Sequence, residues 1–326
     1  MPDLAMWRLV LPLFSSLMQA CAPPPPSEFL ATEDNCALGN DGRVACWSTR
    51  GRYLGAVEGN FTQLGRGGSA IRDGDVVDVR DASETLIASD AQYVQADNFC
   101  ALTRAGEARC RTLFDTDCPC GALEPPSTSV FSSISASHHG GDFGCGILTD
   151  TGEISCWGGE VVLSCFTGCR LAGPVSPPAG VFRQIAMGSY HGCGIKEVDS
   201  QIVCWGNIPP DEDLGQASPP VGEFAQISAA GDTTCGLTVA GSVQCWGWDF
   251  REHVMSTWDN PDPAYEPNGC GDRYEPYVDI SVLGGARYIY VSAGSGPCAV
   301  RSDGKIVCWG RNCVGETILP PGFGPE

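Results

Sequence analysis

Apolar and polar positions alternate with period two over short runs. Each run reverses at a Gly- or Asp-containing turn, and the alternation then resumes. In "CGLTVAGSVQCWG" (Cys235 to Gly247), Cys235 and Leu237 share one face, and Val243 and Cys245 continue that face after the turn. The pattern predicts two short antiparallel strands joined by a tight hairpin. Six copies occur, with the pairs Cys36 and Cys46, Cys100 and Cys110, Cys145 and Cys156, Cys193 and Cys204, Cys235 and Cys245, Cys298 and Cys308. Where the spacing is ten, Leu38 faces Val44 and Asn40-Asp41-Gly42 forms a three-residue loop, whose third position favours glycine at positive φ. Where it is eleven, the loop gains a residue, yet Ile147 still faces Ile154 and Ile195 still faces Ile202. Every copy therefore sets its two cysteines opposite each other, within disulfide reach and beside an apolar pair.

A second signature precedes most copies. "PPAGVFRQIAMGSYHGC" runs to Cys193 and "PPVGEFAQISAAGDTTC" to Cys235, each an aromatic and β-branched segment followed by small residues. The unit reads as about four short strands, recurring every 42 to 64 residues between first cysteines. Repeats of that size and content mark propeller blades. The expected fold is all-β: a β-propeller with six repeats counted, seven blades possible, and a cross-strand disulfide in each blade. No interval is read as long enough for two units, so the two longest are expected to carry insertions.

"FRQIAMGSYHGCGI…VCWG" (Phe182 to Gly206) resembles the regulator of chromosome condensation repeat. The cysteine-rich form, with "PP-x-G-x-F" between units, resembles exported bacterial members such as myxobacterial lipoproteins. The resemblance covers nearly everything from Phe29 onward. It implies a propeller, usually of seven blades. It implies no single activity, since the family hosts exchange factors, ubiquitin ligase regions and a β-lactamase inhibitor. The chain departs from the pattern at Arg111, where Trp is expected, and at Asp199-Ser200, which lacks the turn glycine. "PPPPSEF" and "LPPGFGPE" share one phase and are expected to meet at ring closure.

Composition agrees with a turn-rich β protein: 42 Gly, 24 Pro and 19 Cys in 326 residues, with 18% charged. "MWRLVLPLFSSLMQAC" (Met6 to Cys21) reads as a secretory signal, and Met6 is a candidate start. The following "APPPPSE" resembles the context of a bacterial lipoprotein signal, with Cys21 lipidated; plain signal-peptidase cleavage is the alternative. Residues 1–20 are thus a signal peptide, 21–28 a stiff Pro-rich linker and 29–326 one propeller. An oxidising compartment suits structural disulfides. Removing Cys21 and the twelve hairpin cysteines leaves Cys118, Cys120, Cys165, Cys169, Cys270 and Cys313, an even number, expected on one face of the ring. Cys270 with Cys313 is one expected bridge. The other four allow three connectivities, with Cys118 and Cys120 joined to Cys165 and Cys169 preferred and a zinc site the lesser reading.

The net charge of −20 disfavours nucleic acid and anionic membrane surfaces, so any membrane contact is expected through the lipid anchor alone. No nucleophile elbow, zinc-protease motif or phosphate loop occurs, and His191 falls in the repeat's own "His-x-Cys" slot. His138 and His139 read as an exposed pair. No cofactor and no metal are expected. The longest insertion carries Trp248, Phe250, Trp258, Tyr265, Tyr274 and Tyr277 among acidic residues. These are the candidate binding residues, for an interface with a protein or glycan or for packing on the propeller itself. The expected protein is a monomeric, non-enzymatic binding propeller at the bacterial cell envelope. Enzyme inhibition is the alternative and a cryptic hydrolase the third reading.

Overall fold

The structure is a computed structural model describing residues 26, 28–33, 35–48, 51–79, 85–110, 125–137, 143–158, 162–164, 168–170, 176–206, 208, 213–247, 277–278, 280–294, 296–311 and 317–325. Seven antiparallel sheets of three or four strands follow one another along the chain. Their first strands are Phe29–Glu33, Phe61–Leu64, Tyr93–Asp97, Phe131–Ser137, Phe182–Met187, Phe224–Ala230 and Tyr288–Ser292, which begin blades 1 to 7. The first strands face one another around an axis. Blades 1 and 2 close with a fourth strand, and the other five show three among the described residues.

Blade 2 completes the seven blades that the sequence left possible, and it corrects the expectation of a cystine in every blade. The 64 residues from Cys36 to Cys100 hold two units, because Phe61–Leu64, Ser69–Arg72, Asp75–Asp78 and Thr85–Ala88 form a complete blade without cysteine. Ser69 pairs with Asp78 in the register that Cys36 and Cys46 occupy in blade 1. Val79 takes the place of the tryptophan, its N–H bonding Gly68 O as that of Trp47 bonds Asn35 O.

The other six blades form the cross-strand disulfides, each with Cα atoms 4.0 Å apart. The pairings of Leu38 with Val44, Ile147 with Ile154, Ile195 with Ile202, Leu237 with Val243 and Val300 with Ile306 are all present. Period-two alternation then divides each sheet into a cystine face and a tryptophan face. The cystine face of one blade packs on the tryptophan face of the next. Cys145 and Ile154 of blade 4 meet Phe182, Ile185 and Trp205 of blade 5, and Cys193 and Ile202 of blade 5 meet Phe224, Ile227 and partly buried Trp246 of blade 6. Seven apolar clusters, one per junction, together make the core.

Two sets of polar bonds lock neighbouring blades. The last loop residue of each hairpin accepts a hydrogen bond from the aromatic residue that starts the next blade, as in Phe61 N–H to Gly42 O and Phe224 N–H to Ser200 O. In addition, the side-chain amides of Gln63, Gln95, Gln184 and Gln226 each bond both the N–H and the C=O of one residue in the next first strand: Ala96, Ile134, Ile227 and Val291. The glutamine of "FRQI" is thus a strut between blades. The ring closes as its two flanks imply: Phe29 N–H bonds Gly304 O at 3.0 Å, and Phe323 packs on Phe29 and Trp47 with ring centroids 4.8 and 5.4 Å apart.

Ser200 holds φ at 57°, where Gly42 sits at 80° in blade 1. A side chain there is strained, so Ser200→Gly should stabilise the protein by up to about 1 kcal/mol, the residual after glycine's entropy cost. The midpoint of urea unfolding reads the gain. A lower midpoint would mean that Ser200 is held there by contacts worth more than the strain.

Candidate functional site

The first and third strands of each blade run the same way, so the third strands end at the rim where the first strands end. Cys110, Gly158, Gly206, Gly247 and Cys308 all stop there. The segments that leave those points, including the long insertion, therefore attach to one rim. The candidate binding residues Trp248, Phe250, Trp258, Tyr265 and Tyr274 lie outside the described residues. Tyr277 lies in a short strand, Tyr277–Val278, paired with Gly310–Arg311, which ties the end of the insertion to the last blade. Cys21, Cys118, Cys120, Cys165, Cys270, Cys313, His138 and His139 also lie outside the described residues. Cys169 lies in the strand Gly168–Arg170, paired with Val162–Ser164.

At the centre of this rim sits Arg66. Gly65 ends the first strand of blade 2 against blade 3: a Cβ there would stand 2.0 Å from Ala96 O. The chain turns inward after it and sends the Arg66 side chain across the axis. The guanidinium donates to both oxygens of Asp97 at 2.8 and 2.7 Å, and to Ser135 Oγ at 3.0 Å. It also donates to the carbonyls of Ala136, Met187 and Ala229 at 2.7, 2.7 and 2.5 Å. One side chain thus joins blades 2 to 6. Behind it the axis holds a polar cavity of about 110 Å³, lined by the four glutamines, Glu33 and Tyr290. That is room for a few waters rather than a substrate. Glu33 accepts from Tyr290 Oη at 2.8 Å and Ser292 Oγ at 2.7 Å. Burial, reinforced by the Glu33 carboxylate, pushes the Tyr290 phenol well above its usual range, so it stays protonated and donates.

Chemically this is an axis bridged by Arg66 at one rim. Its two carboxylates are both engaged in holding the ring, and no group of three His, Cys, Asp or Glu that could hold a metal ion occurs among the described residues. Sequence reasoning missed Arg66, Asp97 and Glu33. A usable signal existed, because Glu33 and Asp97 are acidic residues at the ends of apolar first strands, a costly place for a charge without partners.

His191 is fully buried on the second strand of blade 5, with Nε2 2.7 Å from Thr234 Oγ1 of blade 6. Burial lowers its pKa to about 4. The unfolded chain, with a pKa near 6.5, takes up a proton at a pH where the folded state does not, so stability falls as pH drops from 6.5 towards 4. The loss by pH 5 should be about 2 kcal/mol. Urea unfolding at pH 7 and pH 5, with and without His191→Gln, isolates this contribution; an unchanged pH difference in the variant would refute it.

A second, larger hollow of about 440 Å³ opens at the junction of blades 2 and 3, between Leu86–Ala88 on one side and Tyr93, Asn98 and Cys100–Ala101 on the other.

Fold and site together define a disulfide-stapled, seven-bladed β-propeller with a plugged axis. No family model matches the chain. Among solved structures, it is similar to the entire ectodomain of the Physcomitrella patens receptor kinase CR4, with a TM-score of 0.55 and 20% identity over 85% of this chain and 70% of that one. It is also similar to human WBSCR16 (TM-score 0.47, 14% identity, covering 91% and 80%) and to yeast RCC1 (Prp20) bound to Kap60 (0.46, 17%, covering 89% and 71%). At these identities the likeness is one of fold.

Proposed function

We propose that the chain is an exported, non-enzymatic recognition propeller that binds a protein or glycan at the rim carrying its insertions. The observation that supports this reading is the plugged axis. Arg66 and its partners fill the place where a propeller could admit a substrate, and leave recognition to the loops around it. Six cystines suit a chain that matures outside a reducing cytosol. The regulator of chromosome condensation resemblance fits the fold, and the acidic charge turns the reading away from chromatin. Anchoring through a lipidated Cys21 places the rim at the cell envelope. Cys21→Ala should then move the protein from the membrane fraction to the soluble one, and retention in membranes would refute the anchor.

Cross-linking of the full chain in envelope preparations tests the binding reading, in parallel with a variant lacking residues 249–279. A defined partner lost on deletion supports it. A partner retained undiminished puts the interface elsewhere, and turnover of a substrate by the pure protein would refute the non-enzymatic reading.

A further inference from the structure

Blades 1 and 2 end in a fourth strand that lies along the outer edge of the third. In blade 1, Tyr53–Val57 pairs with Val44–Trp47, with Gly55 opposite Cys46 and Val57 opposite Val44. That strand seals the one inside it: Val44, Ala45, Cys46 and Trp47 are at most 2% exposed. Blade 2 does the same, with Thr85–Ala88 on Asp75–Asp78.

Blade 5 has no such strand among the described residues. Its third strand, Ile202–Gly206, pairs with His191–Lys196 on one side and with no strand on the other. Val203 and Cys204 are partly exposed, where Ala45 and Cys46 of blade 1 are sealed. Hydrogen-bond parity sets what the bare edge offers. Lys196 N–H bonds Gln201 O, so residues 201, 203 and 205 turn their backbone groups inward. The N–H and C=O of Ile202 and Cys204 therefore point outward, and none has a backbone partner among the described residues. The same parity in blade 1 aims Val44 and Cys46 at Val57 and Gly55.

The connection to blade 6 is committed elsewhere. The carbonyl of Gln216 accepts from Trp246 Nε1 at 3.0 Å and from Thr234 Oγ1 at 3.2 Å, which fixes this stretch on blade 6. Pro209, Pro210, Pro219 and Pro220 flank it in sequence and have no N–H to give an edge. The edge itself carries no blunting device: "IVCWG" has no charge and no proline, and its register shows no bulge.

We propose that the outer edge of blade 5 takes up an extended segment of a partner protein as a fourth strand, antiparallel to Ile202–Gly206. Main-chain bonds to Ile202 and Cys204 supply the affinity, and the alternating side chains supply the selection. Blade 1 gives the chemistry of the occupant. It has a small residue opposite Cys204, as Gly55 lies opposite Cys46, and apolar residues opposite Val203 and Ile202, as Ala56 and Val57 lie opposite Ala45 and Val44. A second copy of the chain is disfavoured, because two chains of net charge −20 repel. This surface lies on the circumference of the ring, separate from the rim that carries the insertions.

The probe is the blade 1 strand itself: a fluorescein-labelled peptide of residues 52–58, "RYLGAVE", titrated into the full oxidised chain and followed by fluorescence anisotropy and amide hydrogen exchange. Saturable binding of one peptide per chain is expected, with the Ile202 and Cys204 amides protected. N-methylation of the peptide at Gly55 and Val57, whose N–H groups would face the edge, should weaken binding about tenfold, while N-methylation at Ala56, whose N–H faces away, should change it less than about twofold. Gly55→Leu in the peptide sets bulk against Cys204 and should weaken binding as well. All these changes leave the protein untouched, so no loss of folding can imitate them. Absence of saturable binding, binding indifferent to N-methylation at Gly55 and Val57, or protection at another place overturns the proposal. So does a dimer of the chain alone with the Cys204 amide already protected, since the edge would then serve a second copy.

Discussion

Replacing Arg66 with methionine should destabilise the protein by about 3–5 kcal/mol, the usual result of removing one member of a buried ion pair. The loss has two sources. Asp97, which Arg66 holds at both oxygens, would keep only Ser135 Oγ and the Ala136 N–H as partners for a buried charge. The carbonyls of Met187 and Ala229 would each lose a charged donor at the centre of the ring. Methionine retains the volume, so the change reports electrostatics and hydrogen bonding rather than a cavity. Urea unfolding of the single variant, and of Arg66→Met with Asp97→Asn, separates the sources. Neutralising Asp97 should recover part of the loss, because the buried charge goes with it. A single-variant cost below 1 kcal/mol would show that the plug is ornamental to stability.

The contrast between what the sequence revealed and what it hid follows from range. Each cystine hairpin is written within thirteen or fourteen residues, and the match of face across two loop lengths makes its register unambiguous. Blade 2 is hidden from a cysteine-based repeat because it puts Ser69 and Asp78 in the cysteine positions and Val79 in the tryptophan position. Its first strand still carried the mark: "FTQL" (Phe61 to Leu64) repeats the phase of "FRQI" (Phe182 to Ile185), with Gln63 and Gln184 making the same strut. The axis was illegible for a different reason. Arg66 meets Asp97, Ser135, Met187 and Ala229 only once the ring has closed, and no local pattern announces a contact spanning 163 residues. The cleft between blades 2 and 3 had its trace in "CRT" at Cys110, visible in the sequence as an oddity and meaningful only beside its neighbour's missing cystine.

Reduction of the six cystines should unfold the ring. Each closes a loop of ten or eleven residues. The chain-entropy model gives just under about 3 kcal/mol for a loop of that size. Six such contributions, even with partial additivity, are comparable to the whole stability of about 5–15 kcal/mol that folded domains possess. Cys145, Cys193 and Cys235 are fully buried, so replacing a pair with alanine adds a packing loss to the entropic one. A single double variant, Cys193→Ala with Cys204→Ala, should therefore cost about 4 kcal/mol and remain folded, while a strong reductant should abolish the cooperative thermal transition altogether. A transition that survives full reduction, verified by thiol counting, would mean that the junction packing and glutamine struts suffice. Blade 2 supplies the converse test. Ser69 and Asp78 face each other in the register the cystines use elsewhere, so Ser69→Cys with Asp78→Cys should form a cross-strand bridge in this blade too, raising stability by about 2–3 kcal/mol under oxidising conditions and not under reducing ones.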